Sequence, residues 1–255
     1  GINLNQNKKF CIANWKMNFD SDEIQRFLSN FNNYLFDNNN VEVVLCPPHI
    51  YLSEARNFLK SGKFTLGAQN VHYCEKGSFT GEISSAMIAD LSCKYVIIGH
   101  SERRILFDET NTLVKKKFDS VYNSSLTPIL CVGENIDERN SSDYKTVLEK
   151  QITSILDSYG TISKDLVIAY EPVWAIGTGI SASLSTIEKT HSVIKNIINK
   201  YTLKNCNIYL LYGGSVNQNN SKEIIALENV DGFLIGNASL NPLQLHKIYN
   251  SMGGS

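Results

Sequence analysis

Eight short apolar runs recur along the chain, and they constrain its fold more than any other feature of the sequence. The predicted strands are Phe10–Ala13, Val41–Cys46, Phe64–Ala68, Tyr95–Gly99, Pro128–Gly133, Leu166–Tyr170, Ile208–Tyr212 and Gly232–Ile235. Several runs are rich in Val, Ile or Phe, and none alternates with polar residues. Such unbroken runs are typical of strands buried on both faces, as in a parallel sheet.

Amphipathic segments lie between these runs. One face of the first segment carries Ile24, Phe27, Leu28, Phe31 and Leu35, and a later segment carries Leu148, Ile152, Ile155, Leu156 and Tyr159 in the same way. Asp20 with Glu23 resembles a capping box before the first helix, and we interpret Ser185 with Glu188 as a second capping pair. The chain therefore alternates strands with helices, which predicts an α/β protein.

Eight strands that alternate with eight helices predict a (β/α)8 barrel, and 255 residues is a usual length for it. The alternative is a doubly wound open sheet. No linker, repeat or change of composition divides the chain, so we expect a single domain over residues 1–255 with its core at 8–250. We interpret Gly1 and the segment 253–255 as remnants of cloning.

The net charge limits the expected binding partners, and the cysteines indicate the expected compartment. The net charge of -1 provides no overall field for nucleic acid or an anionic membrane, so neither partner is expected. The polar N-terminus resembles no signal segment, and no stretch has the apolar length of a membrane span. The six cysteines include no Cys-x-x-Cys pair, which favours reduced thiols in a cytoplasmic protein.

Reactive side chains gather at the predicted strand ends, where barrels of this kind carry their functional groups. Lys16 follows the first strand, His100 the fourth and Glu171 the sixth. Pro172 restricts the backbone of Glu171 and thereby aims its carboxylate. An ammonium, an imidazole and a carboxylate base on one rim indicate a site for proton transfer.

Each of these residues also has a purely structural interpretation. Lys16 could be a solvated loop lysine, and His100 could be a hydrogen-bonded core histidine. Glu102, beside two arginines, could form a surface ion pair, and the loop after Glu171 could be an ordinary strand-to-helix turn. Their coincidence on one predicted rim favours the functional interpretation.

Two glycine-containing loops at the last two strand ends indicate an anion site. Gly213-Gly214-Ser215 precedes the predicted seventh helix, and Gly236-Asn237 precedes the eighth. Backbone amides at helix N-termini bind phosphate, and these loops hold phosphate in many barrels. We therefore expect a phosphorylated substrate.

No cofactor or metal is expected. The Gly-x-Gly-x-x-Gly motif of dinucleotide-binding folds does not follow the first strand. The sequence has no His-x-His motif and no paired carboxylates at strand ends, so a metal site is poorly supported.

Four motifs resemble the triosephosphate isomerase family, and the similarity covers about residues 9–250. They are Asn14-Trp15-Lys16-Met17-Asn18, Gly99-His100-Ser101-Glu102-Arg103-Arg104, the segment from Ala169 to Gly179, and Tyr212-Gly213-Gly214-Ser215-Val216. The resemblance implies cofactor-free interconversion of dihydroxyacetone phosphate and D-glyceraldehyde 3-phosphate through an enediolate, in glycolysis and gluconeogenesis. It also implies a lid, residues 172–182, that closes over the intermediate.

The resemblance also implies roles for individual residues. Glu171 would be the base, His100 the neutral imidazole that polarises the carbonyl, and Lys16 the cation near the developing charge; this family is a known example of such tuning. Asn14 would hydrogen-bond the same oxygens, and Glu102 would hold Lys16. The predicted phosphate contacts are the amides of Gly177, Ser215, Gly236 and Asn237.

A homodimer follows from the same resemblance. The long loop from Val71 to Ser84 would enter a pocket of a partner subunit, with Thr80, Gly81, Glu82 and Arg103 as contacts. The other interpretation of this loop is a free, mobile segment.

Two positions depart from the family pattern. Ile180 stands where a lysine is common, and Asn237 replaces a common glycine. We expect the Asn237 amide contact to survive, because Asn tolerates left-handed backbone.

Two other hypotheses remain open from the sequence. One is a non-catalytic barrel that binds a phosphorylated ligand, and the other is a metal-dependent lyase on the same fold.

Overall fold

The structure, a computed structural model, describes residues 7–141, 143–176, 178 and 180–253. Its strands are β1 (Lys9–Asn14), β2 (Val41–Cys46), β3 (Thr65–Ala68), β4 (Cys93–Ile98), β5 (Thr127–Val132), β6 (Thr161–Ile162), β7 (Leu166–Tyr170), β8 (Thr202–Leu203), β9 (Ile208–Tyr212) and β10 (Gly232–Ile235). All eight apolar runs of the sequence form strands, with bounds that shift by at most two residues.

Eight of these strands close into a parallel barrel in the order β1-β2-β3-β4-β5-β7-β9-β10, and β10 pairs with β1. The short strands β6 and β8 form a separate two-stranded sheet. The predicted (β/α)8 barrel is therefore confirmed, and the open-sheet alternative is wrong. Closure removes the sheet edges and brings all the carboxyl ends of the strands to one mouth.

Helices surround the barrel. They are α1 (Ser21–Phe31), α2 (Leu52–Arg56), α3 (Ser85–Asp90), α4 (Ser101–Leu106), α5 (Asn111–Tyr122), α6 (Ile136–Asn140), α7 (Tyr144–Leu156), α8 (Leu184–Ile198), α9 (Ser221–Ile225) and α10 (Pro242–Met252). The described part of the chain thus has ten α-helices rather than eight, because two helices follow β4 and two follow β5. None of the helices in the described residues combines the length and apolar character that crossing a membrane requires.

The alternation of side chains along the strands creates two apolar layers. One layer fills the barrel interior and includes Phe10, Ile97 and Leu211. The other layer lies between strands and helices, where the first helix contributes Ile24 and Phe31. The eight barrel strands are buried on both faces, as their unbroken apolar runs predict.

The helix ends test the capping predictions. The box of Asp20 and Glu23 is confirmed, with both reciprocal hydrogen bonds present. The pair Ser185 and Glu188 is wrong, because Ser183 caps α8 and its side chain accepts a hydrogen bond from the Thr186 amide. Leu35 is also misassigned: α1 ends at Phe31, and the Leu35 side chain is exposed.

Glycine is required where β1 and β10 close the barrel. Gly232 has a φ of 148°, which L side chains rarely adopt. A Cβ added there would lie 2.1 Å from the carbonyl oxygen of Phe10. The backbone of β1 therefore occupies the space that any side chain would need.

We predict that Gly232→Ala lowers the free energy of unfolding by at least about 3 kcal/mol, because the methyl group has no space and the backbone is strained. Urea unfolding measures the change. Gly160→Ala is the matched control, since a Cβ there meets nothing within 4 Å and should change stability by less than about 1 kcal/mol. Equal losses in both variants would contradict the steric explanation.

A fully buried histidine lies on α8. The Nδ1 atom of His191 lies 2.8 Å from the carbonyl oxygen of Asn229, so Nδ1 carries the proton and donates it. Burial lowers the pKa of His191 to about 4, despite this hydrogen bond. The imidazole is therefore neutral in the folded protein.

The lowered pKa predicts acid sensitivity. Below a pH of about 6.5 the unfolded chain binds a proton at His191 that the folded chain excludes until about pH 4, so stability falls as the pH falls. The expected loss from this group is about 2 kcal/mol between pH 7 and pH 5. Urea unfolding of wild type and His191→Phe at both pH values measures it. The variant should lack this part of the loss, and identical pH dependence in both proteins would exclude the assignment.

Candidate active site

The carboxyl ends of the barrel strands surround a cavity of about 530 Å³. Its lining includes the sequence-predicted residues Asn14, Lys16, His100, Glu171, Ser215, Gly236 and Asn237. These residues follow or end five different strands, and barrel closure brings them together. Glu102 joins the group through an ion pair with Lys16.

Glu171 lies in the first position after β7, and its side chain is almost fully buried. Ser101 donates two hydrogen bonds to the carboxylate, from its amide at 3.0 Å and from its hydroxyl at 2.9 Å. The Nε2 atom of His100 lies 2.9 Å from the second carboxylate oxygen. Burial by itself raises the pKa of Glu171, but His100 and Ser101 outweigh it, so the net shift is downward.

The hydrogen bonds of His100 assign its tautomer. Nδ1 accepts from the Glu102 amide at 3.1 Å, so in the neutral ring Nε2 carries the proton and donates it to Glu171. Burial lowers the pKa of His100, but the carboxylates of Glu171 and Glu102 outweigh burial and raise it. The Glu102 amide in the first turn of α4 thus favours the neutral imidazole. The carboxylate of Glu171 has the opposite effect and favours the protonated ring.

Lys16 is held in an unusual backbone conformation. Its φ is 55°, in the left-handed region. The Asn14 side chain accepts a hydrogen bond from the Lys16 amide at 3.1 Å, and Gln69 donates to the Lys16 carbonyl at 3.0 Å. The ammonium lies 2.6 Å from a carboxylate oxygen of Glu102. The strained backbone and this ion pair together aim a cation along the mouth of the barrel.

The two predicted phosphate loops differ from their predicted geometry. Gly236 has φ −91° and ψ −109°, a combination outside the regions that L residues prefer, and it precedes a 3₁₀ turn at Asn237–Leu240. Asn237 does not have a positive φ, so left-handed tolerance is not what permits asparagine there. The loop at Ser215 is not directly followed by a helix, because α9 begins only at Ser221, so Ser215 gains no helix N-terminus.

Part of the predicted lid is described. Ile176 and Thr178 line the same cavity. Gly177, a predicted phosphate contact, and Gly179 lie outside the described residues. Ile180 is exposed at the surface of this loop.

Both ends of the lid are tied to the barrel. At its start, the indole of Trp174 donates to Glu134 at 2.7 Å, and the Tyr170 hydroxyl donates to the same oxygen at 2.7 Å. At its end, the amide of Ala182 donates to the Tyr212 hydroxyl at 3.2 Å. The start of the predicted lid is therefore anchored to Glu134, which Tyr170 also contacts, and its end is anchored to Tyr212.

Close backbone packing fixes the position of Glu171. A Cβ added at Gly133 would lie 1.8 Å from the carbonyl oxygen of Glu171. The end of β5 therefore passes directly against the backbone that carries the carboxylate. Only glycine permits this approach.

The sequence interpretation missed several supports of the site. Gln69 directly follows β3 and Glu134 lies just beyond β5, so the strand-end criterion could have identified both. Ser101 lies within one of the four motifs, but nothing in that motif indicates that it holds Glu171. No local signal marks Tyr170 or Tyr212, because strand residues of this type are usually core.

The predicted dimer contacts lie on the same side of the barrel. Residues 75–82, including Thr80, Gly81 and Glu82, are all exposed, and the loop is closed at its base by a hydrogen bond from the His72 amide to the Ile83 carbonyl at 2.8 Å. Arg103 pairs with the buried Glu109 of its own chain.

Metal ligands are not grouped in this part of the molecule. Among the residues that the structure describes, no three His, Cys, Asp or Glu side chains cluster as a metal site would require.

Comparison with known proteins agrees with this geometry. A family profile described as triosephosphate isomerase matches residues 9–252. A triosephosphate isomerase of Francisella tularensis subsp. mediasiatica is 42% identical, over 95% of this chain and 96% of its own. Those of Colwellia psychrerythraea and Legionella pneumophila are 44% and 38% identical, over at least 94% of this chain and 96% of theirs. This chain belongs to the triosephosphate isomerase family.

Proposed function

We propose that this chain interconverts dihydroxyacetone phosphate and D-glyceraldehyde 3-phosphate without a cofactor, in cytoplasmic glycolysis and gluconeogenesis. The observation that carries the proposal is the convergence of Glu171, His100 and Lys16 on one cavity that the loop at Gly236 also lines. A carboxylate base, a hydrogen-bond donor and a cation beside an anion-binding loop suit proton transfer next to a carbonyl.

Glu171 acts as the base in this proposal. Its carboxylate is bound by Ser101, so it must leave these hydrogen bonds to reach the substrate. Because Glu171 is buried, few waters compete for it, and its basicity rises once the Ser101 donors are lost. The carboxylate then takes a proton from one carbon and returns it to the next.

His100 acts as the electrophile. Nε2–H points at Glu171 in this structure and becomes free to donate to the carbonyl oxygen when the carboxylate moves. The same movement removes the main charge that raises the pKa of His100, while Glu102 N–H still occupies Nδ1. The ring is therefore neutral when it polarises the substrate.

Lys16 links the part of the site that transfers the proton with the predicted phosphate loop. A Cβ added at Gly236 would lie 3.7 Å from the Lys16 ammonium nitrogen, so the cation lies beside the predicted phosphate loop. Asn14 holds the Lys16 backbone and faces the same cavity. Together they stabilise negative charge on the enediolate and on the phosphate.

The lid has a chemical role in this scheme. An enediolate phosphate loses phosphate if water and bond rotation are allowed. Closure of residues 172–182 over the cavity suppresses that loss and strengthens the electrostatic interactions inside.

The active form in this proposal is a homodimer. The loop at residues 75–82 is ordered by hydrogen bonds from Phe79 to Gly77 and from Glu82 to Phe79, yet it is exposed. Large apolar side chains are also exposed after other barrel strands, with Met17 beyond β1 at 95% and Leu106 at the end of α4 at 69%. An exposed, hydrogen-bonded loop together with exposed apolar side chains suits a subunit interface.

We predict that Glu171→Asp lowers kcat roughly 100-fold, because withdrawal of the carboxylate by one methylene misplaces the base. A coupled assay with glyceraldehyde 3-phosphate measures turnover. The inhibition constant of inorganic phosphate should stay within about threefold of wild type, since the base does not bind phosphate. The exposed Glu223→Asp is the control. Unchanged turnover would contradict the base, and phosphate binding without turnover in wild type would favour a binding protein.

We predict that Thr80→Arg weakens dimerisation and lowers turnover together, because a bulky charge would be buried at the tip of the interface loop. Sedimentation at a series of protein concentrations and the coupled assay provide the two readouts. Thr146→Arg, on the exposed face of α7, is the matched control and should change neither. A tight dimer in Thr80→Arg would reject this interface.

A further inference from the structure

His191 is a buried titratable residue that the proposed reaction does not use. It lies on α8, about two turns after Leu184, the residue with which the helix begins just beyond the lid. Its Nε2 atom is buried and has no hydrogen-bond partner among the described residues. An unpaired buried nitrogen is unfavourable, so the other contacts of the imidazole must explain its position.

The ring of His191 packs against two tyrosines of the barrel. Its centroid is 5.6 Å from that of Tyr170 at an interplanar angle of 85°, and 6.2 Å from that of Tyr212 at 77°. Both are edge-to-face arrangements, which aromatic rings favour. The pairing of β7 with β9 sets the spacing of the two tyrosines, whose own centroids lie 6.4 Å apart, and the imidazole supports the edges of this stacked pair.

Both tyrosines are linked to the ends of the lid, Tyr212 directly and Tyr170 through Glu134. Tyr170 shares the Glu134 oxygen with the indole of Trp174 at the start of the lid. Tyr212 accepts from the Ala182 amide and lies 3.0 Å from the Ser181 hydroxyl at the end of the lid. One side chain thus contacts the supports of both lid ends.

A second contact fixes His191 relative to the sheet. Nδ1–H donates to the carbonyl of Asn229, whose φ of 66° places it in the left-handed region. Just beyond it, the Asp231 amide donates to the Leu210 carbonyl at 2.7 Å, and the Asp231 carboxylate accepts from the Leu210 amide at 2.8 Å. The histidine therefore ties α8 to a rigid connection between β9 and β10.

We propose that His191 is a positioning residue for the lid: its ring holds the phenol rings of Tyr170 and Tyr212 in their orientations and thereby biases the equilibrium between open and closed lid. The proposal rests on the proposed function for the role of the lid. Removal of the ring loosens both anchors, so a ligand must order a more mobile lid and binds more weakly.

Two variants separate the ring from the hydrogen bond. His191→Asn keeps a donor near the position of Nδ1 and loses the ring, whereas His191→Phe keeps a ring and loses the donor. The ligand is inorganic phosphate, followed by fluorine NMR of protein labelled with 5-fluorotryptophan. Trp174 reports on the lid, and the buried Trp15 serves as an internal reference.

We expect His191→Asn to weaken phosphate binding and raise KM roughly threefold to tenfold, with a shifted Trp174 signal. His191→Phe should bind phosphate within about twofold of wild type, although it is less stable. The control His246→Asn, on the outer helix α10, should change neither phosphate binding, KM nor the Trp174 signal. If His191→Asn does not fold, His191→Gln provides the same loss of the ring.

Two results would overturn the proposal. One is a phosphate affinity and Trp174 signal in the ring-less variant equal to those of wild type, and the other is an equal loss in the Asn and Phe variants, which would indicate a stability effect alone. The phosphate and NMR readouts do not need turnover. A wild-type protein without isomerase activity would therefore reject the proposed function but leave this test intact.

Discussion

The buried carboxylate of Glu171 is the interaction on which the rest of the site depends. A carboxylate removed from water needs donors, and three lie within 3.0 Å: the amide and hydroxyl of Ser101 and Nε2 of His100. The first turn of α4 supplies Ser101, so the strand that ends in the base and the helix that follows the histidine must keep their relative positions. In the proposed function, a carboxylate held in this way must leave its donors before it can act as the base.

Close backbone approach provides that relative position. The end of β5 passes against the Glu171 carbonyl at Gly133, and β10 passes against β1 at Gly232. The barrel can therefore hold Glu171 and Gly236 in a fixed relation, while Lys16 reaches between them on a strained backbone. Strain at Lys16 persists because Asn14 and the neighbouring strands over-determine its conformation.

Sequence patterns predicted the strands and the strand-end residues, because burial on both faces and the closure of a barrel leave few alternatives. These patterns failed where a contact between distant parts of the chain determines the role of a residue. Ser183 rather than Ser185 caps α8, and only the backbone path of the lid determines which serine does so. Ser101 acts through hydrogen bonds to Glu171, far away in sequence, which no local pattern encodes. His191 resembles any other core position of an amphipathic helix.

The anchors of the lid differ in kind from the packing of the core. The core is apolar and close-packed, so its rearrangement would expose a large apolar area. The lid is held instead by a few directional hydrogen bonds, from Trp174 to Glu134 and from Ala182 to Tyr212. The bond to the Tyr212 hydroxyl contributes only about 1 kcal/mol net and the bond to the Glu134 carboxylate about 2 kcal/mol, because water or another partner can replace each. In the proposed function, a loop attached in this way opens and closes while the barrel that positions Glu171 stays unchanged.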